Sequence, residues 1–221
     1  MTAVAIREGS RTRLALVTKR LIDLTGAAVL LVVSLPVLAL AALAIRVEGG
    51  GPILFKQQRL GLHGGQFTMW KLRTMRTDAD DAVHRAYVTN LLTAEEPESG
   101  GISGVYKLAE DPRVTRVGAF LRRSSIDELP QLWNVLAGTM SLVGPRPALA
   151  WEAELYQPDH HERFNVKPGV TGLWQVSGRS TVGMRTALDI DVHYANAWTV
   201  WLDIVVLAKT IPAVLRGSEA R

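Results

Sequence analysis

The sequence lacks cysteine altogether. This absence excludes disulfide scaffolds, thiolate metal sites and cysteine nucleophiles, so any covalent chemistry must use oxygen or nitrogen. Phosphate-binding loops that end in Lys-Ser/Thr and the glycine fingerprint of dinucleotide-binding folds are absent too. The histidines are scattered, apart from His160 and His161, which would point apart on a helix. No zinc-binding spacing is therefore present.

The composition lies between that of a disordered chain and that of a membrane bundle. Hydrophobic residues make up 48% of the 221 residues, which is too many for disorder, and 21% are charged, which is too many for a multi-pass membrane protein. A net charge of +4 and a pI near 9.6 suit phosphates, phospholipid headgroups or nucleic acid without choosing among them. We expect one folded domain that is attached to a membrane.

Residues 24–45 form an uncharged apolar run, long enough as a straight helix to cover roughly 33 Å, about one bilayer core. Lysines and arginines flank the run on both sides, so both ends are predicted to be cytoplasmic. Pro36, with Ser34 two residues earlier, predicts a bend in the middle. We therefore expect a re-entrant helix; a kinked single span and a buried core helix are the alternatives, whereas the lack of a cleavage site excludes a signal peptide.

The remaining chain predicts a helix-dominated α+β fold. Residues 1–18 are expected to be a basic tail, 19–47 the re-entrant helix and 48–221 the folded domain. Glycines between two β-prone stretches predict a hairpin of 53–60 and 66–75, and 77–110 resembles a variable insertion with a short helix over 78–92. The later pattern predicts helices over 117–123, 125–136 and 148–165, a loop-rich stretch over 166–180 and a helical C-terminus.

An adjacent acidic pair, Asp127 and Glu128, is the most informative feature of the sequence. Ser125 and Glu128 have the spacing of a capping box, which is the structural interpretation. Arg122 before the pair and Arg146 after it favour a second interpretation, a site for phosphate and a divalent metal. One acid would then attack phosphorus while the other holds Mg²⁺.

Three other patterns supply candidate ligands. Residues 144–147, Gly-Pro-Arg-Pro, place Arg146 on a stiff backbone, or else form a plain surface turn. Lys71 and Arg73 alternate on a predicted strand and would share one face. Residues 166–179 end in Arg179 and contain Trp174 and Gln175, which suit a sugar or a nucleotide, although Trp174 could equally pin a structural loop.

Two further patterns leave their function open. Asp189 and Asp191 resemble the acidic pair with which many nucleotide-sugar glycosyltransferases hold a metal, although helical flanks favour a solvated face. Residues 198–215 carry Trp198 and Trp201 in an amphipathic pattern. Such a helix could lie among lipid headgroups or pack into the core.

Taken together, residues 51–57, 71–75, 111–147 and 167–179 resemble motifs of the bacterial sugar transferases. These are monotopic phosphoglycosyltransferases that begin cell-surface glycan assembly on a polyprenyl phosphate carrier. The resemblance covers residues 19–215, and the long 77–110 segment is similar to that of the exopolysaccharide-initiating branch. One departure is Ser34-Leu35-Pro36, because the family often has serine directly before the proline.

The resemblance implies transfer of a sugar-1-phosphate, galactose or glucose in that branch, from a UDP-sugar to undecaprenyl phosphate, with Mg²⁺ required and UMP released. It implies that Asp127 is the nucleophile of a phosphosugar-aspartyl intermediate and that Glu128 coordinates the metal beside it. Lys71, Arg122 and Arg146 match substrate-binding positions, and Pro36 the helix-breaking proline. The catalytic domain would face the cytoplasm at the bacterial inner membrane.

Two rival functions remain open on the sequence. One is a metal-dependent glycosyltransferase that uses Asp189 and Asp191 and releases UDP. The other is a basic membrane adaptor without catalysis, which would bind anionic lipid or nucleic acid in a salt-sensitive way. The phosphoglycosyltransferase hypothesis itself expects UDP-sugar, undecaprenyl phosphate and membrane lipid as partners, no nucleic acid, and leaves homo-oligomers open.

Overall fold

A computed structural model of the protein describes residues 12–76, 82–93, 111–178 and 183–216. The elements follow the order α1, β1, β2, α2, α3, α4, β3, α5, β4, α6, α7 and α8. Their bounds are Arg13–Gly49 (α1), Leu54–Leu60 (β1), Gln66–Leu72 (β2), Ala82–Thr93 (α2), Arg116–Arg123 (α3), Gln131–Ala137 (α4), Ser141–Val143 (β3), Ala150–Ala153 (α5), Gly169–Thr171 (β4), Leu173–Gly178 (α6), Met184–Ala197 (α7) and Val200–Arg216 (α8). Helix dominates, as the sequence predicts.

Helix α1 is a single element that runs through Pro36 without a break. It begins at Arg13, so residues 13–18 belong to this helix rather than to the expected basic tail, and residues 1–11 lie outside the described part. The Ser34 hydroxyl donates to the Leu31 carbonyl at 3.0 Å, one turn back, which is the backbone contact expected of a serine near a helix proline. The re-entrant bend itself stays a prediction.

The surface of α1 is mostly apolar and exposed. In its most apolar stretch only 17% of the residues are buried, and among the described residues it is the one helix whose length and composition would allow it to cross a membrane. Val33 and Leu40 are each about 70% exposed (71% and 69%). A helix buried in the core would not leave such side chains uncovered, so the core-helix alternative is wrong.

One stripe of α1 packs against the domain along most of the helix. Its buried residues are spaced four apart within each half of the helix, and at about 100° per residue both sets fall on the same face; they are Asp23, Ala27 and Leu31 in the first half and Ala41 and Ile45 in the second. This stripe meets α3, α4, β3 and α8. The domain thus covers both halves of the helix.

Polar contacts hold both ends of α1 to the domain. Near its start, Arg20 donates to the Val135 and Leu136 carbonyls at 2.7 and 2.9 Å, where a cation suits the negative end of α4. Near its end, the Glu48 carboxylate accepts from the backbone N–H of Arg116 at 2.8 Å, at the start of α3. Both ends of the long helix are therefore anchored to the same body.

Strands β1 and β2 form the predicted antiparallel hairpin, in a register that pairs Leu54 with Leu72 and Leu60 with Gln66. His63 and Gly64 take positive φ angles of 55° and 72° in the connection, which a glycine-rich turn readily supplies. The hairpin prediction is confirmed, although β2 ends at Leu72 rather than at 75. This strand carries Lys71 toward the acidic turn.

Within the 166–180 stretch, for which the sequence predicts a loop-rich structure, the described residues 166–178 contain regular elements. Strand β4 pairs in parallel with β3, joining Ser141 to Gly169 and Val143 to Thr171, and helix α6 follows. Gly144 and Gly169 approach so closely that a Cβ on Gly169 would lie 2.1 Å from the Gly144 nitrogen. The two glycines therefore allow the backbone at the start of residues 144–147 to touch the backbone at the start of β4.

Two predicted helices are each divided. The expected 125–136 helix is a 3-10 turn, Ile126–Glu128, followed by α4, and Ser125 precedes the turn in a left-handed conformation with φ 58°. The expected 148–165 helix is α5 followed by a 3-10 segment, Pro158–Asn165. Within the 77–110 segment, α2 confirms a short helix, and most of the remainder lies outside the described residues.

The two tryptophans of the C-terminal stretch lie in different environments. Trp198 is 7% exposed and donates its indole N–H to Asp203 at 3.0 Å, within the core cluster that includes Ala27, Leu132 and Val143. Trp201, on α8, is 70% exposed. The first tryptophan therefore packs into the core and the second faces outward.

Candidate active site

Asp127 and Glu128 lie on the 3-10 turn Ile126–Glu128, between the end of α3 and the start of α4. The predicted capping box is wrong: Ser125 makes no side-chain cap hydrogen bond, because its left-handed backbone directs the turn away from helical geometry. Glu128 accordingly does not serve as a helix cap. Its carboxylate contacts the hairpin instead.

Lys71 donates to Glu128 Oε1 at 3.0 Å, with both side chains only partly exposed. The contact joins β2 to the acidic turn across the cleft. Arg73, which the alternation placed on the same face, donates instead to the Gly50 carbonyl. Only the first of the two predicted cations therefore reaches the site.

Asp127 is buried, with 7% of its surface exposed, in a group of charged side chains. Burial lowers the pKa of the Arg122 guanidinium, while the negative charges of Asp127 and Asp111 oppose that shift and the positive charges of Arg113 and Arg146 add to it. Arg122 also donates from Nε to the Thr74 hydroxyl at 2.9 Å. A partly desolvated guanidinium next to other cations binds an anion more strongly than an exposed one does.

The acidic turn opens on a cleft that combines elements distant in the sequence. Of the candidate residues, the cleft brings together Lys71, Glu128, Arg146 and Gln175, and its other lining residues are Arg59, Met69, Gln131, Pro147, Gly169 and Val170. Gln175 is buried, and its Oε1 has no hydrogen-bond partner among the described residues. This oxygen offers an acceptor to an N–H or O–H of a ligand.

Three described candidate residues, Asp127, Arg122 and Trp174, are not among the residues that line the cleft. Asp127 is buried next to Glu128 in the acidic turn, and Arg122 lies close enough to Asp127 for their charges to interact. Trp174 is 5% exposed on α6 and is absent from the cleft lining, which favours the interpretation that it pins the local structure. Arg179 lies outside the described residues.

The cleft also contains two polar residues that the sequence analysis did not single out, Arg59 and Gln131. Arg59 lies outside the motifs and Gln131 within the 111–147 run, and their burial beside the site is what identifies them.

The pair Asp189 and Asp191 does not form a metal site. Two positions on α7 differ by roughly 200° around the helix axis, so the carboxylates diverge. Asp191 is 1% exposed and meets Arg163 at 2.5 Å, whereas Asp189 is 68% exposed and contacts His160. A metal would need both acids on one side.

The donor set suits Mg²⁺ better than zinc or calcium. Among the described residues no group of three or more His, Asp or Glu side chains converges, which leaves the two adjacent carboxylates of the acidic turn. Mg²⁺ typically takes one or two carboxylates and completes its shell with water and substrate phosphates. The acidic turn thus supplies donor oxygens of the kind that Mg²⁺ prefers.

The fold and the cleft together define the class of protein. It is a helix-dominated domain that packs along one long apolar helix and holds an acidic pair near arginine and lysine side chains. A family model described as bacterial sugar transferase matches residues 14–217. The chain belongs to the bacterial sugar transferase family, and the resemblance found in the sequence is confirmed.

Three relatives illustrate this similarity. The UDP-galactose-lipid carrier transferase of Erwinia amylovora is 41% identical over 91% of the chain. The UDP-glucose:undecaprenyl-phosphate glucose-1-phosphate transferase of Caulobacter vibrioides (strain ATCC 19089 / CIP 103742 / CB 15) is 41% identical over 91% of the chain and 71% of the relative. The exopolysaccharide production protein ExoY of Sinorhizobium fredii (strain NBRC 101917 / NGR234) is 39% identical, over 91% of the chain and 88% of its own length.

The relatives differ in length from this chain. It spans 41% of the Erwinia protein and 44% of the galactosyl transferase CpsE of Streptococcus agalactiae serotype III (strain NEM316). The described domain therefore corresponds to a part of the longer relatives and to most of ExoY.

Proposed function

We propose that the protein transfers a hexose-1-phosphate from a UDP-sugar to undecaprenyl phosphate and releases UMP. The observation that carries the proposal is the cleft in which Lys71, Arg146 and Gln175 lie around Glu128, with Asp127 buried next to it in the same turn. Cations for phosphates, a buried carboxylate and an amide acceptor are what phosphoryl transfer by covalent catalysis needs. The names of the Erwinia and Caulobacter relatives support galactose or glucose as the sugar.

The reaction follows from two displacements at one phosphorus. An Asp127 carboxylate oxygen attacks the sugar-bearing phosphorus of the donor, a P–O bond forms, and the bond to the bridging oxygen breaks as UMP leaves with that electron pair. A phosphate oxygen of undecaprenyl phosphate then attacks the same phosphorus, and the aspartate leaves unchanged. Arg122 and Arg146 neutralise the phosphoryl oxygens throughout.

Mg²⁺, held by Glu128 and Asp127, would supply a further positive charge at the diphosphate when bound. Lys71 is the side chain that now neutralises Glu128, at 3.0 Å. Lys71 extends from a paired strand. Its ammonium group therefore stays near the Glu128 carboxylate even when the two groups do not bond directly. A metal ion that binds Glu128 would therefore compete with the Lys71 ammonium for this carboxylate.

The released nucleotide tests this function directly. Purified protein in nanodiscs, given Mg²⁺, undecaprenyl phosphate and either UDP-galactose or UDP-glucose, is expected to release UMP only when the lipid is present. Release of UDP would contradict the proposal and indicate transfer of the sugar without its phosphate. Salt-sensitive lipid binding without any turnover would favour the adaptor instead.

We also propose that α1 enters and leaves the membrane on its cytoplasmic side. The domain contacts α1 from Arg20 to Glu48, a stretch of roughly 42 Å at about 1.5 Å per residue, which exceeds a bilayer core. A domain on one side of a membrane could not touch both ends of a helix that spans it. The exposed Trp201 on α8 suits the adjacent headgroup region.

The absence of cysteine provides a clean test of this topology. Single variants Ser10→Cys and Asp159→Cys are expected to react with a membrane-impermeant maleimide in inside-out vesicles and to be protected in right-side-out vesicles. Detergent should expose both cysteines in either preparation, which controls for reactivity. Labelling of the two cysteines from opposite sides would establish a true span.

A further inference from the structure

The loop 144–147 that carries Arg146 is held from several directions. The Gly144 N–H donates to the Thr171 carbonyl, and the Gly169 N–H donates to the Pro145 carbonyl, each at 2.9 Å. Residues 141–148 are all buried except Arg146, which is partly exposed and lines the cleft. The loop is thus a buried support for one functional side chain.

A buried guanidinium fixes the Arg146 carbonyl. Arg163, 2% exposed, donates from Nη2 to the Arg146 carbonyl at 2.7 Å and to Asp191 Oδ2 at 2.5 Å. It also donates from Nη1 to the Tyr156 hydroxyl at 3.2 Å. Asp191 is therefore the anchor of Arg163, not a ligand of a second metal.

A second buried guanidinium fixes the next carbonyl along the chain. Arg59 donates from Nη1 to the Pro147 carbonyl at 3.0 Å, and it donates to Gln57 Oε1 from Nε and Nη2. Its carboxylate partner is Glu152, at 3.9 Å, which also accepts from the Leu149 N–H. Two arginines that are distant in the sequence thus hold consecutive carbonyls of one loop.

We propose that Arg163 with Asp191 and Arg59 with Glu152 are positioning residues that hold the Arg146 guanidinium toward the diphosphate of the nucleotide-sugar donor. Burying ion pairs costs desolvation, and apolar residues would stabilise the same volume as well or better. The cost is explained if the pairs organise a site, and both arginines hold carbonyls of the loop that carries Arg146, Arg163 that of Arg146 and Arg59 that of Pro147. The inference rests on the proposed role of Arg146 in phosphate binding.

This role differs from simple stabilisation in a measurable way. If Arg163 acts through Arg146, its replacement should weaken ligand binding only when Arg146 is present. Effects that share one partner are non-additive, whereas independent effects add. A small displacement of a binding group costs up to about 100-fold in rate, so a clear effect is expected even when the fold is kept.

The experiment is a double-mutant cycle on binding of UDP in the presence of Mg²⁺, measured by calorimetry on the full chain in nanodiscs. Arg163→Lys and Arg59→Lys are each expected to weaken UDP binding by about tenfold. In the Arg146→Ala background, neither should weaken it further. With UDP-sugar as substrate, the single variants should raise KM more than they lower kcat.

The control is Asp189→Asn, which removes an exposed carboxylate from the same helix as Asp191 and should bind UDP as the wild type does. Thermal unfolding identifies any variant that fails to fold, and the two arginines give two independent cycles. Equal losses in both backgrounds, or full UDP binding by well-folded single variants, would overturn the positioning role. So would unchanged binding by Arg146→Ala, even if UMP release confirms the proposed reaction.

Discussion

Asp127→Asn is expected to abolish UMP release, with turnover reduced by at least about 10⁴-fold. The amide has the size of the carboxylate but cannot attack phosphorus. The phosphosugar-aspartyl intermediate therefore cannot form, whereas the shape of the turn is kept. Asp127 is buried beside Arg122, whose charge Asp111 also compensates, so the variant should still fold. Product assays and thermal unfolding of the same preparation measure both expectations.

The covalent intermediate can be tested separately from turnover. With a donor labelled in its sugar and without undecaprenyl phosphate, the wild type should retain label on the protein, and Asp127→Asn should retain none. Asp189→Asn is the matched control, because it makes the same chemical change at an exposed carboxylate outside the cleft. Wild-type UMP release by Asp127→Asn would exclude Asp127 as the nucleophile.

Features with a strong local signal were predictable from the sequence. Glycines between β-prone segments indicated the hairpin, and Thr115 before a short amphipathic run precedes α3, where it caps the helix. The parallel pairing of β3 and β4 was missed. Each strand has three residues, too few for a periodic pattern, and the close approach of Gly144 and Gly169 that permits their pairing is a tertiary feature.

The acidic turn shows why a local pattern can mislead. Ser125 and Glu128 have the spacing of a capping box, yet Ser125 is left-handed and Glu128 contacts Lys71 on the hairpin. The sequence cannot display a partner that lies 57 positions away. Tertiary contacts decide between a helix cap and a site when both use the same residue types.

The same reasoning explains which site residues were found. Lys71, Glu128 and Arg146 stand in recognisable motifs, and the cleft confirms that they lie together. Arg59 and Arg163 stand in none, and each donates to a backbone carbonyl of the loop that carries Arg146. Residues that act on other residues have no characteristic spacing, and only their burial and hydrogen bonds identify them.

Removing magnesium is expected to have the second large effect. EDTA should stop UMP release, and added Mg²⁺ should restore it, since two carboxylates and the substrate phosphates suit this ion. Glu128→Gln should lower turnover by about 10²–10³-fold and raise the Mg²⁺ concentration required for half-maximal activity, because it leaves Asp127 as the only carboxylate of the turn. A Mg²⁺ titration of both proteins measures the difference.

Lys71→Met provides the control that separates metal binding from charge balance. Lys71 neutralises Glu128 at 3.0 Å, so its removal should make the carboxylate more available to the cation and lower the Mg²⁺ concentration required. Turnover should nevertheless fall, because a positive charge has been removed from the phosphate-binding cleft. Opposite shifts of the Mg²⁺ requirement in Glu128→Gln and Lys71→Met would assign the ion to Glu128, and UMP release that withstands EDTA would exclude a magnesium-dependent reaction.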